Sequence, residues 1–369
     1  MTPAGLTNGG ISFQRLPSPA LSFRPRCFRS GAASSGDTEV SLGKLLLIFT
    51  VVFILTFPAT GNAQKVVIGY SAVSALYLPF WAAKDVGFYK QEGVDADLIY
   101  ISSSSTMAQA MLAREVHIST ANSQVIADAG LQGGDLMAMG AVINVTAFYV
   151  MAPPEIRTIE DLKGKPVGVS RFGASTDFAM RMLLAKYGLE AGRDVPILQI
   201  GGMPELAAAL AKKSIYAAPM SFPTGFLAQQ AGVKILFNLA KESIPFLHAG
   251  VTTTRKFMNE RRAQAKAFLR AYSRAVYFMH TRREEAKEII ARYTKIRDPG
   301  MLEGSLQYAQ DFVEKIPLVK PQAFQVTLDE IAKKNPKAKQ AKPEQFFDNS
   351  LVQELIDEGF FVSLWGKNP

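Results

Sequence analysis

From Lys65 onward the chain alternates short β-branched runs with stretches of helical period. Val66-Val-Ile-Gly-Tyr70, Leu98-Ile-Tyr-Ile101 and His117-Ile-Ser-Thr120 read as strands, and residues 79–91, 105–114 and 123–131 read as helices between and after them. The apolar run 136–145 closes this series. A second series repeats it, with Pro166-Val-Gly-Val-Ser170, a helix over 175–187 ended by Gly188, Val195-Pro-Ile-Leu-Gln-Ile200, a helix over 204–213 and the run 215–220. Met111-Leu-Ala-Arg-Glu-Val-His117 lines up with Leu210-Ala-Lys-Lys-Ser-Ile-Tyr216, 99 residues later. The alternation predicts an α/β fold of two similar lobes, about 100 residues each, with mixed, mostly parallel sheets flanked by helices.

Beyond residue 241 the period is mostly helical. Over 260–280 it sets Phe268, Tyr272, Val276 and Met279 on one stripe, and 282–293, 300–312 and 351–359 continue the pattern. An apolar stripe left in water forfeits about 25 cal/mol per Å², so these helices are expected to pack on the first lobe. The chain then crosses between lobes twice. The expected division is 64–148 with 249–369 for the first lobe and 149–248 for the second.

The segment before Lys65 follows different rules. Residues 45–57 are an apolar run of 13, preceded by Lys44 and followed by Pro58-Ala-Thr-Gly-Asn-Ala63. A membrane span wants roughly 20 apolar residues, so the run reads as a secretory signal cut after about Ala63, with an uncleaved anchor as the alternative. Residues 1–43 are long for such a signal and rich in Ser, Gly, Pro and Arg. We read them as a mis-assigned start, Val40 being a candidate initiator; an organelle transit peptide is the competing reading.

Composition narrows the function classes. With 48% hydrophobic and 20% charged residues, a chain of 369 residues has a sizeable core and is neither disordered nor fibrous. Lys and Arg number 41 against 32 Asp and Glu, a net charge of +9, which falls to +6 without residues 1–63. The basic residues of 261–292 are interleaved with Glu, the pattern of a solvated helix face, and no nucleic-acid partner is expected. Cys27 is the only cysteine and precedes the apolar run, so a processed chain has no disulfide, thiolate or Cys-ligated metal.

No HExxH, GxSxG, P-loop, GxGxxG or CxxC occurs after residue 63, and His117, His248 and His280 show no metal-ligand spacing. No cofactor or metal is expected, and these histidines read as packed or helix-terminal. The positive signal lies where strands end and helices begin, the ligand crevice of open α/β sheets. Ser71 and Ser74, Ser102-Ser-Ser-Ser-Thr106, Thr120-Ala-Asn-Ser123 and Ser170-Arg-Phe-Gly-Ala-Ser-Thr176 all fall there. Each cluster taken singly is a helix cap; together they suit a cleft that binds a polar solute or anion without a nucleophile and base. Arg171 is the one full charge in these loops and suits a carboxylate or sulfonate. Tyr77 and Phe172 suit a planar ring instead. Asn144-Val-Thr146 matches a glycosylation sequon by chance in an apolar setting.

Gly69-Tyr-Ser71, Leu78-Pro-Phe-Trp-Ala-Ala-Lys-Asp-Val-Gly-Phe-Tyr-Lys-Gln-Glu-Gly93 and Ile159-Glu-Asp-Leu-Lys-Gly-Lys-Pro-Val-Gly-Val169 resemble the periplasmic solute-binding proteins of ABC importers. The group resembled is the sulfonate, nitrate, taurine and thiamine-precursor binding family, over residues 65–278. The resemblance implies a type II, Venus-flytrap fold with hinge crossings near 143–153 and 241–253. It implies a binding role for Ser71, Tyr77, Ser103, Ser104, Ser105, Asn122, Ser123, Phe172, Gly173, Ala174, Ser175, Thr176, Pro219, Ser221 and Phe222. It further implies a periplasmic, monomeric protein that delivers a small molecule to an inner-membrane permease and is not an enzyme. A sensor that docks on a membrane receptor, or a thiamine-pyrimidine biosynthetic enzyme, is the alternative on the same fold. The enzyme's Cys-rich segment is absent. The family's Gly-x-Val-Asp before the third strand of each lobe is replaced by Arg114-Glu-Val-His117 and Lys213-Ser-Ile-Tyr216.

Overall fold

The computed structural model describes residues 65–366, so the signal-peptide and start-site expectations lie outside the described residues. Two sheet systems build the molecule. The first is five-stranded in the order β2-β1-β3-β10-β4, where β1 is Val66–Tyr70, β2 Ala96–Tyr100, β3 Ile118–Ser119, β4 Leu136–Val145 and β10 Pro245–Thr254. β1 pairs parallel with β2 and β3, as the strand–helix alternation predicts, while β10 runs antiparallel to β3 and β4. In the second system β6 (Val167–Val169) and β7 (Ile197–Gln199) pair in parallel. There β5 (Tyr149–Ala152) pairs antiparallel with β8 (Ala218–Met220) and β9 (Lys234–Asn238). The sheets are therefore mixed. The chain passes between the systems twice, from β4 into β5 and from β9 into β10.

The expected stripe is realised in the helix Arg262–Thr281, where Phe268, Tyr272, Val276 and Met279 are fully buried. Phe80, from the helix Leu78–Asp85, lies 5.1 Å from Tyr272 and 6.0 Å from Phe268 between ring centroids. Trp81 stacks on Tyr293 at 4.7 Å. The cations on the outer side of this helix are paired: Lys266 with Glu354 at 2.8 Å, and Arg270 and Arg274 with Glu92 at 3.0 and 2.7 Å. On the opposite face of the first sheet, Leu247 of β10 packs with Met107 and Ile126 and with Phe324 and Leu328. Those last two belong to the helix Pro321–Ala332, which the sequence reading missed because its apolar residues sit in Lys- and Gln-rich text.

Several expected boundaries shift for backbone reasons. The helix read over 79–91 is two, Leu78–Asp85 and Phe88–Gln91, divided where Gly87 takes φ 85. At the departure from the family pattern, Arg114 (φ 63) and Lys213 (φ 57) take the left-handed turn that glycine ordinarily supplies. The internal repeat thus extends to an unusual backbone state in both series. His117, in place of an acid, accepts the Val67 N–H on Nδ1 at 3.0 Å. Asn144 of the sequon is buried, donating to Glu314 and the Leu318 carbonyl at 3.0 and 2.9 Å.

Candidate functional site

A narrow cavity of about 30 Å³ lies between the two sheet systems. Ser71, Ser74, Tyr77, Ser103 and Ser104 line one side, Ser170, Ala174, Ser175, Thr176, Met203 and Ser221 the other, and Phe148 and His248 lie where the chain crosses between the systems. No Asp, Glu, Lys or Arg is among the lining residues.

Eight of the sixteen expected site residues therefore line this cavity: Ser71, Tyr77, Ser103, Ser104, Ala174, Ser175, Thr176 and Ser221. Their positions follow from local chemistry. Ser71 leaves the end of β1 with its N–H donating to Thr120 Oγ1 at 3.0 Å and its hydroxyl 3.1 Å from the Tyr77 hydroxyl. Burial raises the Tyr77 phenol above its ordinary pKa, so it stays protonated. Ser103, at φ 80, accepts the Ser105 N–H at 3.2 Å and caps the helix Ser104–Leu112. Thr176 accepts the Ser170 N–H at 2.9 Å.

Ser175 opens the helix Ser175–Lys186 and joins the two sides. Its hydroxyl accepts from Asn122 Nδ2 at 3.0 Å and donates to the His248 carbonyl at 2.8 Å. Asn122 lies behind it, fully buried, with Oδ1 capping the next helix through Val125 N at 2.9 Å. Ser105 and Gly173 close the rim: Ser105 Oγ donates to the Phe172 carbonyl at 2.7 Å, and the Gly173 carbonyl accepts from Asn122 at 3.3 Å. Phe222 packs on Tyr149 and Phe226, and its carbonyl accepts from Ser74 Oγ at 3.2 Å and Ala75 N at 3.0 Å.

Four expected residues fall away from the cavity. Ser123 turns to Thr327, 2.6 Å between hydroxyls, and Pro219 is a buried member of β8. The Phe172 ring is 48% exposed and lies 5.8 Å from the Arg181 guanidinium. Arg171 is exposed and is not among the residues that line this cavity.

His248, read from sequence as a packed residue, lies on the cavity wall. Its Nδ1 accepts the Ala147 N–H at 3.1 Å, its ring centroid is 4.3 Å from that of Phe148, and burial pulls the imidazole down to about 3. It is neutral at ordinary pH, with the proton assigned to Nε2 by the Nδ1 hydrogen bond. A single titratable residue inside an apolar strand was the available signal. Phe148 and Met203 carried none, whereas Ser74 and Ser170 belonged to the hydroxyl clusters.

Comparison places this geometry. The chain resembles a protein of Bordetella bronchiseptica RB50 at TM-score 0.72, with 20% identity over 80% of this chain and 97% of the other. It resembles the alkanesulfonate-binding protein SsuA of Xanthomonas axonopodis pv. citri, solved bound to MOPS, at TM-score 0.63 with 17% identity, covering 76% of this chain and 95% of that one. For the periplasmic nitrate-binding protein NrtA of Synechocystis PCC 6803 the values are 0.65, 13%, 80% and 89%. At these identities the likeness is one of fold, the two-lobed periplasmic-binding-protein architecture. No curated protein matches the chain. The NMT1/THI5-like family model matches residues 75–286, and the chain belongs to that family.

Proposed function

We propose that the chain is the extracytoplasmic substrate-binding component of an ABC importer, which closes its two lobes on a small organic solute and delivers it to a membrane permease. The first lobe is 64–148 with 249–369, and the second is 149–248. The observation that carries this reading is the cavity shared by both lobes and bridged by Ser175, with hydroxyl groups on each wall. Such a lining holds and orients a polar ligand. Nothing in it pairs a nucleophile with a free base, since His248 Nδ1 is taken by Ala147, so binding accounts for the site better than catalysis.

A thermal-shift screen tests the reading, with sulfonates, nitrate, aromatic carboxylates, amides and pyrimidines as ligands. A compound at 100 times its Kd adds about 2.7 kcal/mol to folding stability. A saturable shift with one class is the expected result, and a folded protein unmoved by every class sinks the proposal. In the same titration Arg171→Ala is expected to leave Kd within about twofold, as for other exposed side chains away from a site. A tenfold loss would return Arg171 to the ligand.

A further inference from the structure

The hydroxyls of the cavity are not equivalent. Those of Ser71, Ser74, Ser103, Ser170, Ser175 and Thr176 already bond to protein groups. Three polar groups on the wall have no protein partner: Ser104 Oγ, Ser221 Oγ, which is buried outright, and His248 Nε2. A polar group buried without a partner is unfavourable in the folded state. Ser104 belongs to the first lobe and Ser221 to the second, while His248 lies on β10 just past the crossing between them, so all three meet one ligand only when the lobes are together. We infer that these three groups read the ligand, and that the ligand is an uncharged polar molecule presenting an acceptor atom to His248. The inference rests on the ligand-capture reading above and names the substrate class for that site.

Charge argues the same way. An ionised ligand enclosed here would lose its hydration with no countercharge on the wall. The two helix N-termini at the cavity are already answered. Ser103 caps one, and at the other Asp177, in the first turn, accepts the Gly173 N–H at 2.9 Å. Phe148 behind the imidazole and Tyr77 add apolar wall, which suits a ligand with a flat apolar portion.

The test uses the full chain and matched neutral and anionic probes: nicotinamide with nicotinate, benzamide with benzoate, and cytosine with orotate. The expected result is stabilisation by a neutral member and none by its anionic partner, followed by titration calorimetry on the neutral one. Ser221→Ala is expected to weaken that binding about tenfold, while the Tm of the ligand-free protein is unchanged or higher. A merely structural serine would lower the Tm. His248→Asn keeps an acceptor for the Ala147 N–H, removes the far ring donor, and is expected to weaken binding similarly. Stabilisation by anionic probes alone overturns the inference and leaves ligand capture standing. Unchanged affinity in both variants also overturns it, and silence from every probe overturns the inference together with the capture reading.

Discussion

Asn122→Ala is expected to destabilise the protein by about 2–3 kcal/mol, and Asn122→Ser by about 1–2 kcal/mol, in urea unfolding followed by circular dichroism. The side chain is fully buried and makes three hydrogen bonds: Oδ1 caps the helix Ser123–Leu131 through Val125 N, and Nδ2 reaches Ser175 Oγ and the Gly173 carbonyl in the other lobe. A serine keeps the cap, because its hydroxyl also accepts from the first turn, and drops both contacts across the cleft. The difference between the variants measures the cap, and the serine's remaining deficit measures the bridge. Wild-type stability in Asn122→Ser would show that the bonds to Ser175 and Gly173 contribute nothing to holding the lobes together.

The legible part of this molecule is what local chemistry determines. Strands with β-branched runs, helices with a stripe, and hydroxyl clusters at strand ends all declare themselves through spacing, and Ser71, Ser104 and Ser175 were placed on the cavity that way. Antiparallel pairing by β4 and β10 was not legible, because nothing local in a buried apolar run states its direction or its partner. The facing of Arg171 and His248 was illegible for a related reason. Side-chain direction is set by tertiary contacts that residue type does not state: Arg171 stands exposed outside this cavity's lining, while the strand histidine is packed and also faces the cavity. The hydroxyl clusters also divide in a way spacing does not foretell. Most cap helices or bond to neighbouring loops, and on the cavity wall Ser104 from one cluster and Ser221, outside them, are left for a ligand.

Closure depends on a position with no side chain at all. Gly202 precedes the helix Met203–Ala211 with φ −73 and ψ −174, an extended state open to any residue, so the backbone does not require glycine here. The surroundings do. A Cβ at this point would stand 2.7 Å from the Tyr100 hydroxyl and 3.1 Å from Ser102 Oγ, both in the first lobe, and 3.0 Å from Glu205 Oε2 on its own helix. Glu205 ends a flexible side chain and can swing clear, whereas Tyr100 is held by ring contact with Tyr70 at 5.6 Å. Gly202→Val therefore acts as a wedge between lobes and leaves each lobe's packing intact. Overpacking of this kind amounts to about 1–3 kcal/mol, so the closed population is expected to fall about tenfold or more, and ligand affinity with it, since only the closed fraction binds fully. Spin labels at Lys90 and Lys212, exposed residues of opposite lobes, in a Cys27→Ser background report the distance by pulsed EPR. A shift to longer distances with unchanged circular dichroism is the expected result. Superimposable distance distributions and equal affinities would mean that the lobes meet elsewhere and that Gly202 has no part in closing them.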